Sequence, residues 1–237
     1  DARNSMLFYG ASMLYKPLST MLLVQEMFKQ KHKHISLRIG ELIPYDSFAQ
    51  QQLDNNTLVK LFKKHLYRLA KDKSPLLKTQ SAIAHPEDRQ QLKKAIQSCP
   101  LLGETADGKQ IYLYSPSSGS VLLREIGRLR EIAFRAVGEG SGKRRDIDKY
   151  DSYYQQLILW DSEALEIVGA YRLAQADTVI QQHGIAGLYT ASLFRYNEAT
   201  STLLRQGLEL GRSFVQPKYW GRRSLDYLWY GIGAYLK

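Results

Sequence analysis

Cysteine, long apolar runs and metal-ligand spacings are all scarce in this sequence. Cys99 is the single cysteine among 237 residues, so no disulfide forms within the chain, and a reducing compartment fits this composition. No run of about 18 apolar residues occurs, so no helix is expected to cross a membrane. The five histidines lack metal-ligand spacing, and the N-terminus lacks the pattern of a signal peptide. A metal site and a disulfide-stabilised secreted fold are therefore not expected.

Acidic residues are also scarce in the first part of the chain. Residues 1–100 carry 16 Lys and Arg against 8 Asp and Glu, whereas residues 101–237 carry 17 against 15. The net charge of +10 therefore comes mainly from a basic first part. Such a surface suits anionic lipid, an acidic protein or nucleic acid, and a merely solvated surface is the alternative. No nucleic-acid motif accompanies it, so nucleic acid is not expected as a partner.

Helical patterns dominate residues 1–100. An apolar stretch over residues 6–28 is interrupted at Pro17, and it fits either buried core or a surface that touches lipid. After the proline, a helix is predicted over residues 19–30. Further helices are predicted over residues 58–69 and 87–97, and a strand over residues 35–43.

Strands and helices alternate in residues 101–237. Leu122, Ile126, Leu129 and Ala133 recur at helical spacing. Strands are predicted at 111–114, 154–160, 166–173 and 208–215, the second and third of them joined as a hairpin. Residues 187–194 are predicted to be a further strand or an extended segment. The pattern predicts a mixed α/β (α+β) domain that follows a helix-rich region, with the boundary near residue 100.

A strand, a basic loop and a helix follow one another over residues 208–228. One face of the strand is predicted to be apolar and the other small or acidic: Leu208, Leu210 and Phe214 against Glu209, Gly211 and Ser213. A helix N-terminus, here with a predicted cap at Ser224, suits a phosphate when a glycine and cations lie beside it. An ordinary solvated loop is the alternative. The residues predicted to hold a phosphate are Gln216, Lys218, Gly221, Arg222, Arg223 and Ser224.

Two arginines, Arg172 and Arg212, share predicted strand faces with apolar side chains. A guanidinium among apolar neighbours needs carboxylate or backbone partners. An ion-pair network around a cleft is one interpretation, and a purely structural network is the other. The residues predicted to join it or to bind an acceptor are Arg130, Phe134, Asp148, Asp151 and Arg172.

Four motifs occur in one order and spacing: R-E-I-A-F at 130–134, D-K-Y-D at 148–151, V-G-A-Y-R-L at 168–173 and E-L-G-R-S-F-V at 209–215. Together they resemble GNAT-fold N-acyltransferases that use acyl-carrier-protein substrates. The resemblance is to hemolysin-like and ornithine-lipid-forming enzymes, with acyl-homoserine-lactone synthases as more distant relatives. It covers about residues 110–237 and implies a GNAT-like mixed sheet flanked by helices. Because that fold normally continues with further strands, the domain is expected to be C-terminally incomplete, with a sheet edge open to another chain, including a second copy.

The same resemblance implies a mechanism. A thioester donor would lie in a gap between neighbouring strands, with its phosphate at the loop of residues 216–224. That loop has one glycine and two bulky aromatics, which favours phosphopantetheine on an acyl carrier protein over acyl-CoA; either would be a substrate, and no bound cofactor is expected. Glu209 is the expected base, directly or through a water, and the backbone near Arg212 and Ser213 is expected to polarise the carbonyl.

Residues 1–45 are similar to the later part of PlsC-like lysophospholipid acyltransferase domains. The similarity rests on A-R-N-S-M-L-F-Y, K-P-L-S-T and R-I-G-E-L-I-P. Those domains use an H-x-x-x-x-D motif, and no histidine here has an aspartate five residues later. Residues 1–100 are therefore expected to be the C-terminal part of such a domain plus a helical linker, without that activity.

The combined hypothesis is an N-acyltransferase. It would transfer a fatty acyl group from a thioester to an amine, such as that of ornithine, in membrane aminolipid synthesis. The alternatives are transfer to a soluble amine or a homoserine-lactone-type signal, and a non-catalytic basic module that binds anionic membrane or nucleic acid. The expected partners are an acyl carrier protein and an anionic membrane surface, and the expected location is the cytoplasm, peripheral to the inner membrane.

Overall fold

The computed structural model describes residues 4–29, 31, 37–116 and 119–237. By its internal contacts the chain divides into two compact units, Asp1–Lys78 and Thr79–Lys237. The boundary predicted near residue 100 lies inside the second unit. Residues 79–100 belong with that unit because Leu92 and Ile96 are part of its core.

Within its described residues, the first unit has four helices: α1 (Met6–Leu14), α2 (Lys16–Lys29), α3 (Asp46–Ala49) and α4 (Asn55–Leu69). The Ser5 side chain caps α1, and the Asp54 side chain caps α4. Glu26 of α2 is buried and accepts hydrogen bonds from the backbone and hydroxyl of Ser5, which joins the two helices. Many large apolar side chains of α1 and α2 are exposed; Met6 and Met13 are 91% and 90% exposed.

Two predictions for the first unit were wrong. Helix α2 begins at Lys16, before the proline, because Pro17 falls in the first turn, where its missing N–H is not needed. The strand predicted over residues 35–43 is not formed by residues 37–43, apart from an isolated bridge at Leu42. Leu37 and Ile39 are exposed there, so no buried face favours strand pairing. Residues 35 and 36 lie outside the described part.

The second unit is an α/β domain built on a five-stranded sheet. Its helices are α5 (Arg89–Ile96), α6 (Val121–Ala136), α7 (Ala176–His183), α8 (Glu198–Arg205) and α9 (Ser224–Tyr235). Its strands are β1 (Leu101–Glu104), β2 (Gln110–Tyr114), β3 (Gln155–Asp161), β4 (Glu166–Gln175) and β5 (Leu208–Val215). Short 3-10 turns lie at Lys149–Ser152, Ile185–Gly187, Thr190–Ser192 and Pro217–Tyr219.

The strands follow sequence order across the sheet, and each described neighbouring pair is antiparallel. The predicted fold class, a GNAT-like sheet flanked by helices, is confirmed. The parallel pairing that would make the sheet mixed does not occur among the strands that the structure describes. The predicted hairpin is β3 and β4, and the predicted strand of residues 208–215 is β5.

Helices cover both faces of the sheet. On one face α5 and α6 bury a core that includes Leu122, Ile126, Leu129 and Trp160. On the other face α9 packs Leu228 and Ile232 against residues of β2, β3 and β4. Gly231 allows this close approach, since a Cβ there would lie 2.8 Å from Ile111 and 2.9 Å from Leu157.

An insertion of two helices separates β4 from β5, over residues 176–207. Residues 187–194 were predicted as a strand or an extended segment, and this was wrong: they form parts of two 3-10 turns within the insertion. Leu188 is buried in a small core with Tyr150 and Tyr154, so its apolar character reflects packing onto tyrosines. Among the described residues, no helix is long and apolar enough to cross a membrane.

Candidate active site

A bulge in β5 shapes the centre of the site. The register pairs Arg172 with Gly211 and Ala170 with Phe214, so Arg212 and Ser213 lie outside the regular ladder. Arg212 has a φ of 50°, in the left-handed region that non-glycine residues rarely occupy. The bulge also overturns the predicted strand faces. Leu208 and Leu210 pack on the α9 side, whereas Phe214 packs in the α6 core.

The arginines predicted to need partners meet in one buried cluster with three aspartates. Arg130 Nη1 lies 3.1 Å from Asp151 Oδ2, and Arg172 Nη1 lies 2.6 Å from Asp148 Oδ1. Arg172 Nη1 also lies 3.3 Å from Asp151 Oδ1. Four of the five residues predicted for this network or for the acceptor therefore lie together. The fifth, Phe134, packs against the apolar core beneath α6.

Arg212 joins the same cluster from β5. Its Nη1 lies 3.3 Å from Asp146 Oδ2, and its Nη2 lies 3.6 Å from Asp148 Oδ2. Asp146 was missed in the sequence, since it follows a glycine-rich basic stretch that gives no sign of burial. Arg212 is the most accessible of the three arginines, with 30% of its side chain exposed against 1% for the other two.

Burial and ion pairing compete within the cluster. Burial lowers the pKa of Arg130, although Asp151 and Asp146 oppose that effect. Burial also disfavours the charged form of Arg172, but Asp151 and Asp148 outweigh it and the pKa of Arg172 is raised. Burial raises the pKa of Asp146. The rings of Tyr150, Tyr154 and Tyr189 lie 5.3–5.5 Å from the Arg172 guanidinium carbon, which adds cation–π contacts.

Glu209, the predicted base, is held beside this cluster by three donors. Its Oε2 accepts hydrogen bonds from the hydroxyl of Tyr154 and, at 3.1 Å, from the backbone N–H of Tyr189. Its Oε1 accepts one from the backbone N–H of Thr190 at 2.7 Å. The contacts of Tyr189 and Thr190 were missed in the sequence, because backbone donors leave no side-chain signature. Tyr154 was predicted only as the first residue of a strand.

A cavity of about 420 Å³ opens after the bulge, between the end of β5 and the start of α9. Gly221, Arg222 and Ser224, three of the predicted phosphate residues, line it. Gly221 has a φ of 73°, which favours glycine. The cavity lining is Ser213, Phe214, Val215, Tyr219, Trp220, Gly221, Arg222, Ser224 and Leu225.

The other three predicted phosphate residues are engaged elsewhere. The Gln216 side chain donates to the carbonyl of Ile167, and Lys218 pairs with Glu166. Arg223 is exposed and lies 3.8 Å from Asp226. The predicted cap at Ser224 was wrong: Ser224 is the first residue of α9 and is buried. The position before it, Arg223, has near-helical backbone angles, so the loop tightens into the helix without a side-chain cap.

Comparison with known proteins covers much of the second unit. Residues 129–230 match the family model described as "Acetyltransferase (GNAT) domain". The chain is 44% identical over 137 residues to a glycine N(alpha)-acyltransferase of Phocaeicola vulgatus, a match that covers 53% of this chain and 42% of the relative. A glycine N(alpha)-acyltransferase of Bacteroides thetaiotaomicron is also 44% identical over 137 residues, covering 53% of this chain and 41% of the relative.

An L-ornithine N(alpha)-acyltransferase of Brucella abortus is 30% identical over 156 residues, covering 53% of this chain and 54% of the relative. The chain thus spans between 41% and 54% of the length of these relatives. No solved structure gives a significant match. The PlsC-like character of the first part stays a prediction. Residues 129–230 are thus similar to the GNAT acetyltransferase family, as the motifs predicted, and the relatives that the chain matches are named N(alpha)-acyltransferases.

Proposed function

We propose that the full-length protein transfers a fatty acyl group from a thioester to the α-amine of an amino acid. The observation that carries the proposal is the cavity at the end of β5, whose lining begins at Ser213 of the bulge; Glu209 lies earlier on the same strand. Relatives that the chain matches are named glycine and L-ornithine N(alpha)-acyltransferases. Both the chemistry of the site and these names favour an amino-acid amine.

The donor would occupy the cavity with its phosphate toward Arg222 and the N-terminus of α9. Free N–H groups at a helix start and a cation beside them favour an anion. Trp220 closes part of the loop, since its indole N–H donates to the Val215 carbonyl at 2.8 Å. This bulk favours the slender phosphopantetheine arm of an acyl carrier protein over the larger nucleotide of acyl-CoA. The exposed cation at Arg222 suits the acidic surface of such a carrier.

The reaction needs an uncharged amine, a base and a donor for the oxyanion. The amine nitrogen attacks the thioester carbonyl, a C–N bond forms, the C–S bond breaks, and the thiol leaves with a proton. Glu209 would accept the proton that the nitrogen loses, directly or through a water. Because Arg212 and Ser213 lie outside the β5 ladder, their backbone N–H groups are candidates to polarise the carbonyl. Arg130, Asp148, Asp151 and Arg172 would hold the acceptor side of the site in place.

The acceptor that the comparisons favour first is glycine. The relatives named glycine N(alpha)-acyltransferase are 44% identical, against 30% for the L-ornithine N(alpha)-acyltransferase of Brucella abortus. Ornithine, expected from the motifs, is the second candidate. The product in either case would be an acyl-amino acid, a precursor of an aminolipid.

The protein would act at the cytoplasmic surface of a membrane. Helices α1 and α2 expose large apolar side chains, and Lys60, Lys63 and Lys64 of α4 are exposed. Apolar and cationic groups together favour binding to an anionic bilayer surface. The PlsC-like first part, if joined to an acyltransferase active site, would add a second chain as an ester.

Lipid mass spectrometry on cells that express the full-length protein tests this proposal. The wild type should produce an amide-linked acyl-glycine or acyl-ornithine lipid, and Glu209→Gln should not, because the amide cannot take the proton. Glu163→Gln is the matched control, since Glu163 is an exposed residue of the β3–β4 turn, and it should behave as wild type. A wild-type lipid yield from Glu209→Gln would remove Glu209 from the role, and no amide lipid from any variant would remove the proposed function.

A further inference from the structure

The two oxygens of the Glu209 carboxylate accept different numbers of hydrogen bonds. Oε2 accepts two hydrogen bonds, from the Tyr154 hydroxyl and the Tyr189 N–H, whereas Oε1 accepts one, from the Thr190 N–H. Each carboxylate oxygen has about two acceptor positions. Oε2 is therefore saturated, and Oε1 keeps one position for an amine or a water. If Glu209 acts as a base, the proton reaches it at Oε1.

Tyr154 fixes this arrangement from two directions. Its hydroxyl donates to Glu209 Oε2 and accepts from the Tyr189 N–H at 3.0 Å, so one oxygen ties the carboxylate to the insertion between β4 and β5. Tyr154 is 1% exposed, and its ring also lies 5.3 Å from the Arg172 guanidinium carbon. Burial first, and then the hydrogen bond to Glu209, raises the pKa of Tyr154 far above its ordinary value. The phenol therefore stays protonated and remains a donor to the carboxylate.

We propose that Tyr154 is the positioning residue of the reaction: it holds Glu209 so that Oε1 faces the acceptor, and it couples that orientation to the insertion. The inference rests on the proposed role of Glu209. It goes beyond that role in assigning a function to Tyr154 and to the insertion of residues 176–207. Neighbouring tyrosines do not duplicate the contact, since the Tyr153 hydroxyl donates instead to the Gly187 carbonyl at 2.7 Å.

The kinetic test compares Tyr154→Phe with Tyr153→Phe in the full-length protein, with an acyl carrier protein thioester as donor and glycine as acceptor. Both variants lose one hydroxyl that reaches the insertion, but only Tyr154→Phe loses the contact with Glu209. Tyr154→Phe should lower kcat by about 10- to 100-fold, the worth of one hydrogen bond to a charged group, with little change in the KM for the donor. Tyr153→Phe should keep kcat within about threefold. An equal loss of kcat in both variants would overturn the proposal, because loosening of the insertion alone would then explain it.

A double-mutant cycle separates positioning from a general structural effect. If Tyr154 acts through Glu209, Tyr154→Phe should cause no further loss of rate in a Glu209→Asp background, where the shorter carboxylate no longer reaches the Tyr154 hydroxyl. Multiplied losses in the double variant would contradict a shared action.

Amide hydrogen exchange of residues 185–192 tests the coupling without turnover. Tyr154→Phe should raise the exchange rate in this segment several-fold, because the Tyr189 N–H loses an acceptor. Tyr112→Phe is the control and should leave the exchange rate unchanged, since the Tyr112 hydroxyl donates to Gln110 on its own strand. Unchanged exchange in Tyr154→Phe would contradict the coupling between Tyr154 and the insertion, even if the wild type transfers acyl groups. If Tyr154→Phe raises exchange but the wild type transfers no acyl group, the proposed function is wrong, and Tyr154 has no positioning role in acyl transfer.

Discussion

Replacing Asp151 with asparagine should destabilise the second unit severely. Asp151 is fully buried and lies 3.1 Å from Arg130 Nη1 and 3.3 Å from Arg172 Nη1. It also accepts hydrogen bonds from Gln156 Nε2 at 3.1 Å and from the Asp148 N–H at 2.9 Å. The asparagine keeps the shape but removes one anion from a cluster of three arginines and three aspartates. Loss of one partner from a buried pair typically costs about 3–5 kcal/mol, since the opposite charge stays buried without compensation.

Urea unfolding followed by tryptophan fluorescence measures this cost. Asp177→Asn is the matched control, because Asp177 forms an even shorter pair, 2.6 Å from Arg205, but with 43% of its side chain exposed. An exposed pair of this kind is worth less than about 1 kcal/mol. The midpoint should therefore fall strongly for Asp151→Asn and little for Asp177→Asn, with similar denaturant slopes. Equal, small losses in both variants would refute the view that the buried cluster holds the site together.

Two further predictions concern pH and donor binding. Burial opposes the ionisation of Glu131, but hydrogen bonds from neighbouring residues outweigh burial, and the pKa of Glu131 lies below the ordinary value of 4.5. The ionised Glu131 should therefore stabilise the fold fully above about pH 4.5. This stabilisation should be lost as the pH falls through the lower pKa of the folded state. The difference in unfolding free energy between wild type and Glu131→Gln should therefore shrink on acidification, and a difference that stays constant from pH 7 to 3 would contradict this. Arg222 lines the cavity at the end of β5, where the donor is proposed to bind, and Arg223 does not. Arg222→Ala should therefore raise the KM for the thioester donor about tenfold, or about 1.4 kcal/mol. Arg223→Ala should change the same KM by no more than about twofold. Equal effects would mean that the whole loop, and not the cavity, binds the donor.

The sheet of the second unit was predictable where the sequence alternates cleanly. Residues 208–215 form β5 at the predicted bounds, and the hairpin of β3 and β4 lies where the apolar runs and the turn indicated. The bulge was not predictable, because Arg212 adopts a left-handed backbone without the glycine that usually marks one. Since a bulge moves later side chains to the opposite face, a correct strand gave a wrong set of faces.

The ion-pair cluster was predictable because buried guanidinium groups require partners. Arg172 and Arg212 sit among apolar side chains in the sequence, and the aspartates of the D-K-Y-D motif are their partners in the structure. The contacts of Glu209 with the insertion were not predictable. They depend on backbone N–H groups of Tyr189 and Thr190, which a loop of any sequence carries. The basic loop of residues 216–224 was predictable in part. Composition identified its cations, but it did not indicate which of them line the cavity.

The central claim is acyl transfer to an amino acid at Glu209, and purified full-length protein tests it most directly. An acyl carrier protein thioester would be incubated with glycine or ornithine, with released thiol measured over time and the product identified by mass spectrometry. The account predicts amino-acid-dependent thiol release and an amide product in the wild type and in Glu163→Gln, and neither in Glu209→Gln. Thiol release that is independent of the amino acid, or an amide formed equally by Glu209→Gln, would contradict it.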